Sequence, residues 1–199
     1  GKTVRVVWNG GTHDLDMKNA ALRLTDARYK PTRSDKSPEL PGSTSDFFNT
    51  PFAIVIGTVS KDSAMRALCE DKAQGFIGAW LDWQKFQPRV FRDVEMSDAD
   101  IARYSLLLIG GADANAVSAK LAGKLPLRID ANRVVIDGKA FATRDAAVQM
   151  LYPHPRNAKR YVWMFAATST GGMNYAMPRP FAVYEWDYLI DDGRIPAPK

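Results

Sequence analysis

Thiol and imidazole groups are scarce in this chain, whose 199 residues include one cysteine, Cys69, and two histidines, His13 and His154. A single thiol excludes an internal disulfide, and with two imidazoles at unsuited spacing it excludes a structural zinc site. Cys69 falls in an apolar helical stripe, where its expected role is that of a small buried hydrophobe. No apolar stretch approaches the roughly 18 residues that span a bilayer, and the N-terminus lacks the charged-then-apolar order of a secretion signal. The chain opens at Gly1 and runs directly into a strand-like segment, as expected of a processed protein or an excised piece of a longer one. Basic residues never form a dense run: 27 Lys and Arg are scattered among 22 Asp and Glu, so the formal charge of +5 builds no binding arm and nucleic acid is not an expected partner.

Several catalytic signatures are also missing. The Gly-x-Ser-x-Gly nucleophile elbow occurs nowhere. The pair Gly110-Gly111 has neither the three spaced glycines of a dinucleotide fingerprint nor the Gly-Lys-Ser/Thr of a phosphate loop, and Asp113 would repel a phosphate there. No cofactor and no metal are expected.

What is present is a core-forming pattern, with 46% hydrophobic residues in a length that suits one ordinary domain and a small appendage. Residues 3–29 read as an antiparallel β piece, with alternation over Thr3–Asn9, a turn at Gly10-Gly11 and alternation again over Leu22–Thr25. Residues 30–50 carry Pro31, Pro38, Pro41 and many Ser and Thr, which is linker chemistry. The expected division is a β segment and linker over 1–44 and an α/β domain over 45–199.

From Phe52 the pattern alternates between strand and helix. Phe52–Ile56 is a strand, followed by a helix capped near Ser60 or Asp62 with Met65, Leu68, Cys69, Phe76, Ile77 and Trp80 on its buried face. Arg89–Arg92 is a short strand, Ser97–Asp100 resembles a capping box, and Tyr104–Ile109 is an apolar run suited to a strand covered on both faces. A helix capped by Asn115 comes next. Leu125–Ile129 reads as an edge segment because Pro126 donates no ladder bond, and Asp137-Gly138 marks a type I′ hairpin. Ala146–Leu151 and Arg160–Ala167 are two further strands joined by 152–159, and Phe181–Ile190 alternates like a last one. Together these predict a three-layer, mostly parallel sheet of the Rossmann or flavodoxin-like kind, with a small N-terminal antiparallel β segment.

In an open parallel sheet, ligands sit outside the carboxyl ends of the strands. The loops that qualify are Gly57-Thr58, Gly110–Asn115, Tyr152–Asn157 and Thr168–Gly172. Their polar groups make Thr58, Gly110, Gly111, Asn115, His154, Arg156, Asn157, Thr168, Ser169 and Thr170 the ligand-binding candidates, favouring an anionic or hydroxyl-rich guest. The plainer reading is that these residues build turns and caps, that His154 is an exposed loop histidine, and that Trp80, Trp83, Trp163 and Trp186 pack the core.

A linked series of motifs adds a family resemblance: Asp98-Ala-Asp-Ile-Ala102, Leu106–Asn115, Lys124-Leu-Pro-Leu-Arg128, Leu151-Tyr-Pro-His-Pro-Arg-Asn-Ala-Lys-Arg-Tyr-Val162 and the tail Trp186-Asp-Tyr188. From about Ser45 onward the chain resembles the C-terminal region of bacterial prolyl-oligopeptidase-like, α/β-hydrolase-type serine peptidases. His154 stands where that family has Asn between two prolines, and Ala158 where a proline follows Asn157. The family's catalytic serine, aspartate and histidine belong to an upstream hydrolase domain, and nothing here matches their motifs. The resemblance implies a non-catalytic accessory or interaction domain of a secreted or periplasmic serine hydrolase or peptidase, with that hydrolase domain as its partner in the same protein. Two alternatives stay open: a small hydrolase or transferase built on Thr58, Asn115, His154 and Ser169, and an anion- or sugar-binding module in the same crevice.

Overall fold

The computed structural model describes residues 3–8, 11–16, 40, 42–130, 132–176 and 187–192. The chain divides into two compact units, Gly1–Asp35 and Lys36–Lys199. In the first, β1 (Thr3–Trp8) pairs antiparallel with β2 (Gly11–Asp16), and Arg5 grips Asp14 across the ladder at 2.7 Å. The expected partner at Leu22–Thr25 lies outside the described residues. The strand that does pair with β1 is polar, and a search for apolar alternation passes over it.

The second unit is mixed α/β. Its elements in order are α1 (Thr44–Phe48), β3 (Phe52–Ile56), α2 (Ser63–Gln84), β4 (Val90–Arg92), α3 (Asp98–Arg103), β5 (Ser105–Ile109), α4 (Ala116–Leu121), β6 (Leu127–Asp130), β7 (Arg133–Ile136), β8 (Lys139–Ala142), β9 (Ala147–Pro153), β10 (Tyr161–Ala167), α5 (Thr170–Tyr175) and β11 (Tyr188–Asp191). Local chemistry explains the helix starts. The Asp62 carboxylate accepts the Ala64 N–H, Ser97 accepts that of Asp100, and Asn115 accepts those of Val117 and Ser118.

Six strands form one sheet in the order β11-β9-β10-β5-β3-β4. The pairs β10–β5, β5–β3 and β3–β4 are parallel, whereas β9 is antiparallel to both β10 and β11. The sheet is thus mostly parallel, with β9 alone reversed. That corrects the expectation that Ala146–Leu151 and Arg160–Ala167 run as parallel neighbours. Residues 154–160 form a short connection, too short for the dozen or so residues that a parallel crossover takes. A hairpin is what such a linker permits.

The strands β6-β7-β8 make a separate antiparallel sheet. Asp137 and Gly138 both have positive φ, 49° and 77°, as a type I′ turn demands.

Strand alternation splits the core into two apolar clusters. One joins Ile54, Ile56, Leu107, Ile109, Trp163 and Phe165 to Phe47 of α1, to Met65, Cys69, Phe76 and Trp80 of α2, and to Met173 of α5. The other joins Ala53, Val55, Leu106, Leu108, Val162 and Met164 to Ile101 of α3, Val117 and Leu121 of α4, and Val134 and Ile136 of β7. Neighbouring residues of one strand contribute to different clusters, so both faces of the sheet are covered. Each fully buried Leu or Ile in these strands contributes on the order of 1.5–3 kcal/mol of transfer free energy. The linker expected through residue 50 ends earlier: Leu40 and Phe47 are buried in the first cluster, and the Tyr161 hydroxyl donates to Asp46. Trp83, expected in the core, is 48% exposed. Trp186 lies outside the described residues.

Candidate functional site

The connection from β3 leads to one side of the sheet and the connection from β5 to the other, so the carboxyl ends of these two strands form the topological switch point. Here the chain is drawn shut. Gly57 N–H donates to Ile109 O at 2.9 Å, and Val59 N–H donates to Ala114 O at 3.1 Å. A Cβ on Gly57 would lie 2.6 Å from Ala114 O and 2.7 Å from Ile109 O, so only glycine permits this approach. Gly110 takes φ 108°, turning β5 into the loop.

Asn115 is fully buried and works in both directions. Its amide Nδ2 donates to Val55 O and Ile109 O, both at 3.1 Å, while its Oδ1 caps α4. Beside it stands Asp93, 2% exposed, which sequence reasoning did not single out. Its carboxylate accepts from Thr58 Oγ1 at 2.5 Å, from the N–H groups of Thr58 and Val94, and from the Ala116 N–H at 2.6 Å. The signal available in sequence was an acidic residue directly after the short strand 89–92. These bonds tie the ends of β3, β4 and β5 and the start of α4 into one knot.

Along the same edge, after β10, Thr168 Oγ1 donates to Arg144 O at 2.6 Å and accepts the Ala146 N–H at 3.0 Å. Ser169 Oγ accepts the Gly172 N–H and donates to Asp145 at 2.6 Å, so it serves as the cap of α5, whose first residue is Thr170. Gly111 borders a separate cavity of about 560 Å³ beneath the small sheet.

The third candidate group sits elsewhere. Because β9 is reversed, the loop after it lies at the amino-terminal edge of the parallel strands, so His154, Arg156 and Asn157 do not meet Gly110–Asn115 or Thr168–Thr170. His154 is 1% exposed rather than an exposed loop histidine. Its Nδ1 accepts the Arg156 N–H at 2.9 Å, which folds the loop back on itself. Asn157 Nδ2 donates to Ala102 O at 2.7 Å and Arg160 Nε to Arg103 O at 2.9 Å, so the loop satisfies the last carbonyls of α3. Arg156 reaches Asp98 at 3.1 Å and Lys120 reaches it at 3.3 Å. These two cations hold the Asp98 carboxyl below its ordinary value, Arg156 through the larger effect.

Sequence reasoning also missed an aromatic pocket at this second edge, where Trp80, Trp83 and Phe86 gather with Phe48, Arg89 and Tyr104. Burial pushes the Cys69 thiol up to about 12, helped by the carboxylates of Asp113 and Asp93. No described helix is long and apolar enough to cross a membrane. No protein-family model matches the chain, and no curated protein matches it.

Proposed function

We propose that this chain is a non-catalytic accessory or interaction domain, a three-layer α/β unit that accompanies a serine hydrolase or peptidase domain of the same protein in a secreted or periplasmic setting. The observation that carries the non-catalytic part is the knot around Asp93 and Asn115. The side chains of Thr58 and Asn115, candidates for substrate contact, already bond to neighbouring strand ends and helix starts. Ser169 is likewise engaged as a cap, and His154 belongs to the opposite edge of the sheet, away from the hydroxyl it would have to activate. A nucleophile needs a positioned base within hydrogen-bond reach, and this arrangement separates the two. The accessory part rests on the resemblance of the linked motifs between Asp98 and Val162.

Treatment of the isolated chain with a fluorophosphonate and with generic ester and aminopeptide probes is expected to give neither adduct nor turnover. Stoichiometric modification of Ser169, or of any serine, overturns the non-catalytic reading. Coding sequence upstream of Gly1 is expected to specify a hydrolase domain, and its absence there would remove the accessory half.

A further inference from the structure

The C-terminal turn of α2 and the segments leading into β3, β4 and β5 enclose a pocket of about 990 Å³. That is at the upper end of the roughly 300–1,000 Å³ common to small-molecule sites. Its walls are aromatic. Trp80 lies at the centre, with Trp83 and Phe86 standing nearly perpendicular to it at 5.7 and 5.5 Å and Phe48 tilted against it at 5.3 Å. Trp83 and Phe86 are 48% and 55% exposed, so two large rings that pack against a buried indole also face solvent at the mouth.

The polar groups narrow the guest further. Arg89 is the only charged side chain among the described lining residues, and no carboxylate accompanies it there. Its guanidinium lies 5.0 Å over the Tyr104 ring, a stacking that leaves the edge of the fork available for a bidentate acceptor. The Trp80 indole N–H is enclosed and has no acceptor among the described residues. A cationic guest is repelled by Arg89, and an inorganic anion leaves the aromatic walls uncovered.

We propose that this pocket is a binding site for a small aromatic carboxylate, its ring held against Trp83 and Phe86 and its carboxylate on Arg89. Edge-to-face and offset stacking would supply the ring contact, and a charge-assisted pair with the guanidinium would orient the molecule. The site lies at the edge opposite the knotted switch point, so it does not depend on the accessory reading.

Amide and indole N–H shifts of the 199-residue chain, followed by NMR during titration with indole-3-acetate and phenylacetate, test it directly. Phenylacetamide serves as the neutral analogue and acetate as the ringless one. The aryl carboxylates are expected to bind with shifts centred on Trp83, Phe86 and Arg89, and at least about tenfold more tightly than phenylacetamide, with acetate weaker still. Arg89→Gln should bring the carboxylate down to the level of the amide while leaving the amide unchanged. Trp83→Ala should weaken both about tenfold. Arg89 is exposed, so Arg89→Gln should keep the wild-type unfolding midpoint; Trp83→Ala removes a half-buried ring packed on Trp80 and should lower it, and the carboxylate-to-amide ratio of the wild type decides the matter if either variant fails to fold. Equal binding of carboxylate and amide, or no titration at millimolar concentration, overturns the proposal. So does sedimentation in which the wild type forms a dimer and Trp83→Ala does not.

Discussion

Buried His154 makes a bond that an asparagine can also make. Its Nδ1 accepts the N–H two residues ahead, the geometry of an Asx turn, so an asparagine at this place would hold the same donor. His154→Asn is therefore expected to keep at least about 1 kcal/mol of the stability that His154→Ala loses, because alanine leaves the Arg156 N–H without its acceptor. Urea unfolding of the two variants measures the difference. Asp93 is the corresponding test at the other edge: Asp93→Ala strips the acceptor from the N–H groups of Thr58 and Ala116 and should cost roughly 2–4 kcal/mol. Burial raises the Cys69 thiol to about 12, so at pH 8 the native thiolate is far scarcer than in the unfolded chain. Native labelling by a thiol reagent should be correspondingly slow. The raised value also gives a sign for pH dependence. The stabilisation is complete below the unfolded thiol's range and declines as pH climbs from about 9 toward 12, the direction to be read in unfolding midpoints. The burial of Cys69 was legible in helical spacing. That of His154 was not, since a Pro-His-Pro-Arg-Asn string looks like exposed loop until α3 is folded against it.

At the level of elements, apolar runs and capping residues made most strands and helices of residues 52–142 readable from sequence, including the Ser97 and Asn115 caps, while of Ser60 and Asp62, both candidates for α2, the cap is Asp62. Strand direction was harder. An unbroken buried strand has the same composition whichever way it runs, and only the length of the 154–160 connection distinguished the two. Reading that length would have divided the ten candidate site residues between opposite edges of the sheet. Leu107, fully buried in the middle of β5, tests the part that was legible: Leu107→Asp should cost several kcal/mol, because it puts an unpaired charge into an apolar cluster. A calorimetric midpoint near that of wild type would show β5 to be peripheral. Helix α2 ends on Lys85 with φ 61°, a left-handed cap filled by a residue with a Cβ. A glycine there removes about 1–2 kcal/mol of steric cost and adds about 0.5–1 kcal/mol of unfolded-chain entropy. Lys85→Gly is thus expected to raise stability by about 0.5–1 kcal/mol in chemical denaturation.

The whole molecule divides at Lys36, and the packing of Leu40 and Phe47 indicates which truncation the larger unit tolerates. A chain beginning at Lys36 retains both side chains and should unfold cooperatively. One beginning at Asn49 loses the buried Phe47 ring, which touches Trp163 at 5.5 Å, and should fall by about 3–5 kcal/mol. The register of the central sheet also sets an order of events during synthesis. Phe52 pairs with Ser105, and Leu106 in turn with Val162, so β5 has β3 beside it soon after it is made but acquires its second neighbour only when β10 has emerged. Until then Leu106–Ile109 presents an unpaired apolar edge to its surroundings. Closing such distant pairs is slow compared with forming helices or the Asp137-Gly138 hairpin. A chaperone that shields a single hydrophobic strand for that interval would have its natural client segment in β5.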